Sequence, residues 1–227
     1  GPVLIDLPLD LSFAEIEYRR PPEINMVAYK PTVIGHPGQI KKAVALIDAA
    51  QRPLIIAGGG VIASGASDEL RRLSDKANIP VVYTLMGKGA FPDGDPLNCG
   101  MLGMHGSPYA NHAAKGCDLL IAVGMRFSDR STGKASAFAS DAQVVHIDVD
   151  PAEIGKLRRP TVPIVGDAKN ILHSLGSKVK EAKHTEWIEQ LEHWRKTHRT
   201  RQPIDGGRIM PWEVFEAINK ITGGEAI

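Results

Sequence analysis

Five short apolar runs constrain this chain more than any other feature: 53–57 (PLIIA), 79–83 (IPVVY), 117–123 (CDLLIAV), 143–149 (QVVHIDV) and 161–165 (TVPIV). They are continuous rather than alternating, as strands are when both faces of a sheet are covered. Helical periodicity marks the segments around them: 38–51, closed by Pro53, then 66–77, and 168–183 after Asp167. Strands alternating with helices predict an α/β fold, a three-layer parallel sheet with helices on both faces.

Ligands of such sheets lie outside the carboxyl ends of the strands. Here those ends carry 58–60 (GGG), 84–87 (TLMG), 124–130 (GMRFSDR), 148–150 (DVD) and 166–167 (GD). The first is a strand, glycine turn and helix, as in phosphate-binding crossovers, although its spacing is GGGxxxxG and not GxGxxG. Asp148 suits sugar hydroxyls, whereas Asp150 before Pro151 reads as a helix cap. Arg126 and Arg130 flank Asp129, free to take a phosphate or carboxylate, or else paired with that acid. Glycines 87, 89, 94, 100, 103 and 106 make 84–106 either a ligand cradle or a long surface loop. Within it, His105 touches a ligand or makes a loop hydrogen bond, while His146 inside the fourth run reads as a core histidine.

A formal charge of +1 gives no footprint for nucleic acid or an anionic membrane, and the basic run 193–201 reads as a solvated helix end. Cys99 and Cys117 have neither metal-ligand spacing nor a CxxC partner, consistent with reduced thiols and a cytoplasmic setting. No run reaches the roughly 18 residues of a membrane span. HExxH, GxSxG and Walker motifs are absent, which leaves hydrolysis, phosphoryl transfer and zinc chemistry without candidates. Trp187, Leu191 and Trp194 form a packing stripe on a helix over 185–199. Residues 3–7 read as a strand fragment, the proline-rich stretch to 37 as a connection, and Pro211 as the first residue of a helix. The chain therefore divides into 1–37, a central α/β domain over 38–183, and a helical segment over 184–227.

The stretches TLMGKGAFP, MLGMHG, RFSDRSTGK, VVHIDVDPAEIGK and IVGDA together resemble the middle domain of acetohydroxyacid (acetolactate) synthase catalytic subunits, and the resemblance runs nearly end to end. It implies a Rossmann-like, DHS-like nucleotide-binding fold and an FAD that does no net redox work. The implied FAD contacts are Gly58, Gly59, Thr84, Leu85 and Met86; Leu102, Gly103, Met104 and His105; and Gly124, Arg126, Arg130, Asp148, Val149, Glu153, Asp167 and Ala168. Arg130 would pair with the carboxylate of the second 2-oxo acid, and Met104 would line the substrate channel. The family commonly has RFDDR where this chain has Ser128. The implied reaction condenses pyruvate with pyruvate or 2-oxobutyrate, using thiamine diphosphate and Mg2+ held by the flanking domains. Residues 1–37 would end the preceding pyrimidine-binding domain and 184–227 would open the diphosphate-binding one, so the chain alone is expected to be inactive. A homodimer or homotetramer and a regulatory small subunit are implied partners; nucleic acid and membrane are not. Other middle domains, of glyoxylate carboligase or pyruvate oxidase, remain alternatives, as does a free-standing electron-transfer flavoprotein module. Arg130 favours the synthase.

Overall fold

The computed structural model describes residues 4–20, 30–198 and 209–225. It divides into two units, 1–31 and 32–227. In the first, the described residues hold a single exposed helical turn, α1 (Leu9–Ser12). Residues 4–7 of the expected strand fragment are not a strand, and Val3 lies outside the described residues.

The second unit begins with α2 (Pro37–Ala49), which leads into β1 (Pro53–Ala57). Next come α3 (Gly59–Ala63), α4 (Ser67–Ala77), β2 (Val81–Tyr83) and β3 (Asn98–Met101). After α5 (Pro108–Gly116) follow β4 (Leu119–Val123), α6 (Asp129–Thr132), β5 (Gln143–Asp148) and β6 (Val162–Val165). The described chain finishes with α7 (Ala168–Lys178), α8 (Thr185–Thr197) and α9 (Pro211–Thr222). The strands form one six-stranded sheet in the order β3-β2-β1-β4-β5-β6, and every pairing is parallel. The chain builds outward from β1 to β3, then returns to lay β4 on the other side of β1. That reversal opens a crevice at the carboxyl ends of β1 and β4.

Strand alternation divides the core into two layers. Ile55, Ile121 and Val145 face a cluster containing Ile40 and Ile47 of α2, Leu70 and Leu73 of α4, and Ile171 and Leu175 of α7. Leu54, Ile56, Leu120 and Val144 face a second, with Ala110 and Ala113 of α5 and Trp187 and Leu191 of α8. The tryptophan stripe is packing: Trp187 donates its indole N–H to the Pro53 carbonyl at 3.0 Å and meets Trp194 edge-on at 5.9 Å. Both cysteines are free and buried, and burial pushes the Cys99 thiol up to about 11 and the Cys117 thiol to about 12.

The structure corrects three further local expectations. A sixth strand, β3, lies inside the glycine-rich stretch, with Gly100 at φ +78° and a register shift against β2. The helix expected over 168–183 stops at Lys178, because Val179 turns extended and the Lys180 amide donates to Asp48 at 2.9 Å. After Asp150 there is no helix but a series of turns, which Asp150 opens by accepting from the Ala152 amide at 2.9 Å.

Candidate functional site

Where β1 and β4 end, their loops cross at closer range than a side chain permits. The Gly58 amide donates to the Val123 carbonyl at 2.8 Å and the Gly60 amide to the Gly124 carbonyl at 3.1 Å. Gly124 sits at φ +56°, and a Cβ added there would stand 2.6 Å from the Gly60 Cα. Above this crossing opens a cleft of about 720 Å³, walled by the loops that leave β1, β2, β4, β5 and β6. That volume falls within the roughly 300–1,000 Å³ usual for ligand sites.

The loop after β4 continues the inward–outward alternation of a strand. Met125 and Phe127 are buried, whereas Arg126 is exposed and Ser128 half-buried beside the cleft. Among the described residues neither Arg126 nor Arg130 pairs with a carboxylate; Asp129 instead accepts from the Arg130 amide at 2.8 Å. The local ion pair that the sequence left open is thus not formed. Arg130 lies on α6, its guanidinium 3.8 Å from the Met104 sulfur, and its carbonyl accepts from the Met104 amide at 3.0 Å. Gly103, at φ +103°, lets that segment lie against the backbone of Arg130.

The loops after β5 and β6 supply carboxylates to the lining. Asp148 ends β5 and accepts from the Asp150 amide at 3.0 Å. Glu153 pairs with Lys156 at 2.9 Å, and Asp167 caps α7 by accepting from the Asn170 amide at 3.2 Å. The lining therefore combines two guanidinium groups that have no carboxylate partner among the described residues with a set of carboxylates, an arrangement that suits a ligand with an anionic centre and a hydroxyl-bearing end.

Most of the residues singled out from sequence come together here. Gly59, Thr84, Leu85 and Met86 line the cleft from the β1 and β2 loops, and Gly124, Arg126 and Arg130 from the β4 loop. Asp148, Val149 and Glu153 line it after β5, and Asp167 and Ala168 after β6. Gly58 lies behind the lining at the loop crossing, and Leu102 is buried. Gly103, Met104 and His105 stay off the lining; Met104 and His105 are exposed, Met104 against Arg130, and no hydrogen bond of His105 is found among the described residues. The glycine-rich stretch contributes only 84–86 to the cleft: Gly87 and Gly106 serve close contacts within the protein's own backbone, and Gly89 and Gly94 face open space. Sequence reasoning missed Ala63, Ser64, Ser131 and Ile147. Ser64 closes α3, one turn after the glycine run, and its position depends on how that helix lies rather than on any motif.

Two desolvated imidazoles, the buried His146 and the half-buried His184, give the fold a pH dependence. Burial lowers the pKa of His146 and of His184 below the usual 6.5. The unfolded chain then takes up protons that the native state refuses, so stability is complete above about 6.5 and is lost as pH falls below it. The thermal midpoint is expected to drop between pH 7.5 and pH 5, and the drop should shrink in His146→Gln; equal drops in the two proteins would contradict this.

A family model described as the thiamine pyrophosphate enzyme central domain matches residues 40–175. The chain is 49% identical over 231 residues to a probable acetolactate synthase large subunit of Methanocaldococcus jannaschii, covering 97% of this chain and 39% of that protein. It is 42% identical over 233 residues to the acetolactate synthase large subunit of Corynebacterium glutamicum, covering 100% of this chain and 37% of that one. With the acetolactate synthase of Mycobacterium leprae the identity is 43% over 234 residues, covering 100% and 37%. The chain thus spans less than two-fifths of the length of these relatives.

Proposed function

Since this chain belongs to the thiamine pyrophosphate enzyme central-domain family, we propose that it is the middle domain of an acetolactate synthase large subunit and that its cleft seats FAD. The observation that carries the reading is the cleft at the β1/β4 crevice, whose lining gathers Arg126 and Arg130, neither paired with a carboxylate among the described residues, with Asp148, Glu153 and Asp167. A dinucleotide fits this set of groups. Asp148 accepts from ribose hydroxyls, Asp167 and Ala168 border the adenosine, and Arg126 takes the pyrophosphate as a charge-assisted fork. Gly59 and Gly124 border the pyrophosphate, and Gly124 has no Cβ because the loops after β1 and β4 cross there at main-chain contact. Thr84, Leu85 and Met86 meet the ring end, where Leu85 and Met86 are exposed enough to stack against an apolar face.

Arg130 projects beside Met104 and binds the carboxylate of the second 2-oxo acid, pyruvate or 2-oxobutyrate, while Met104 narrows the approach. A planar fork favours an acceptor that carries a carboxylate, which it can hold through two parallel charge-assisted hydrogen bonds. FAD supplies a nucleotide scaffold here and no net oxidation; thiamine diphosphate and Mg2+ supply the chemistry of 2-oxo acid condensation from the flanking domains. The domain over 38–183 holds the flavin, 1–37 closes the pyrimidine-binding domain and 184–227 opens the diphosphate-binding one. The full-length protein is cytoplasmic and homo-oligomeric, with a regulatory small subunit as a further partner. No helix among the described residues is long and apolar enough to cross a membrane.

Titration with FAD, FMN, NAD and ADP, followed by thermal shift, tests the assignment. FAD is expected to stabilise the chain by about 2.7 kcal/mol at a hundredfold excess over its dissociation constant, with ADP weaker and FMN without effect. Stabilisation by NAD and none by FAD would reverse the cofactor assignment.

A further inference from the structure

His146 is fully buried in β5, in the sheet row it shares with Ala122 and Ile56. An imidazole in an apolar layer costs stability unless its polar atoms are satisfied. Only half of this one is satisfied. Nε2 lies 3.0 Å from the Met125 carbonyl, and Nδ1 has no partner among the described residues. Since a carbonyl can only accept, Nε2 carries a proton and donates, and burial disfavours a second proton on Nδ1. The same ring meets Phe127 edge-on, at 5.0 Å with 89° between the planes. Phe127 holds φ +53°, a left-handed conformation that a bulky side chain keeps only where its surroundings over-determine it. His146 thus grips the residue before Arg126 and the residue after it.

We propose that His146 is a positioning residue for the cleft: through the Met125 carbonyl and the Phe127 ring it fixes the turn that presents Arg126, so anion affinity depends on a side chain that never touches the ligand. The inference rests on the reading of the cleft as a nucleotide site. Its reach is local. Arg130 is held separately, by the Ser131 and Thr132 amides donating to the Ser128 carbonyl at 3.0 Å and by the Met104 contact.

ADP binding by calorimetry, at a temperature where all variants are folded, tests this in wild type, His146→Leu, His146→Gln, Arg126→Ala and the His146→Leu/Arg126→Ala double variant. His146→Leu is expected to weaken ADP about tenfold, the cost of roughly one misplaced hydrogen bond. His146→Gln, whose amide nitrogen reaches the position of Nε2, should bind within about threefold of wild type. In the Arg126→Ala background His146→Leu should cost nothing further, because the residue it positions is gone. Unchanged affinity in His146→Leu, or a loss that simply adds to that of Arg126→Ala, overturns the proposal. Amide hydrogen exchange keeps it separable from the nucleotide reading. If wild type binds neither FAD nor ADP, that reading fails, and exchange at 125–128 decides the positioning role alone: faster exchange confined to these amides in His146→Leu supports it, and unchanged exchange refutes it.

Discussion

Replacing Gly58 with valine is expected to cost the chain its native fold. A Cβ at this position would enter the backbone of Gly124, and neither partner can retreat without breaking the Gly58–Val123 and Gly60–Gly124 hydrogen bonds that join β1 to β4. Overpacking a core side chain costs about 1–3 kcal/mol because neighbouring rotamers give way; here the neighbour is main chain at the centre of the sheet. The loss should exceed about 4 kcal/mol, against a total stability of roughly 5–15 kcal/mol. Denaturant midpoints read it directly, with Gly94→Ala as control, since a Cβ there meets nothing within 4 Å. A Gly58→Val protein within about 1 kcal/mol of wild type would show that the crossing is softer than its geometry implies.

Removing the arginines should separate two functions that lie side by side. Arg126→Ala is expected to weaken FAD by about 1.5–3 kcal/mol, roughly ten- to a hundredfold, the worth of a charge-assisted contact. Arg130→Ala, in the full-length enzyme, should leave FAD within about threefold of wild type and instead lower kcat/KM for the second 2-oxo acid by at least about a hundredfold. Arg130→Lys should recover only part of this, because an ammonium keeps the charge without the fork. If Arg130→Ala released the flavin and spared the acceptor, the two roles would have to be exchanged. The structure motivates the division: Arg130 sits on α6 with its guanidinium against Met104, and Arg126 precedes that helix.

The legible parts of the sequence were those in which one physical cause dominates. Leu119, Leu120 and Ile121 can only be a covered strand, and each such run reappears in the sheet. Arg126, Asp148 and Asp167 were found because strand ends were found, and topology brings those ends to one rim. β3 was hidden because its residues answer to local demands. Asn98 turns its side chain back to accept from the Gly100 amide at 2.7 Å, and an edge strand needs no apolar continuity. The glycine-rich stretch misled for a related reason: glycine density reports close approach without saying to what. At Gly87, Gly103 and Gly106 the approaching group is the protein's own main chain.

The order of the sheet also bears on how the molecule is made. β1 and β4 are neighbours at its centre, yet Pro53 pairs with Leu119, so more than sixty residues must emerge from the ribosome between them. Until then β1 is an unguarded apolar edge, of the kind that recruits other chains. The cleft, whose walls depend on that same late pairing, cannot exist before it. Synthesis thus delivers β1 with one edge open first, and the crevice at β1 and β4 only after β4 arrives.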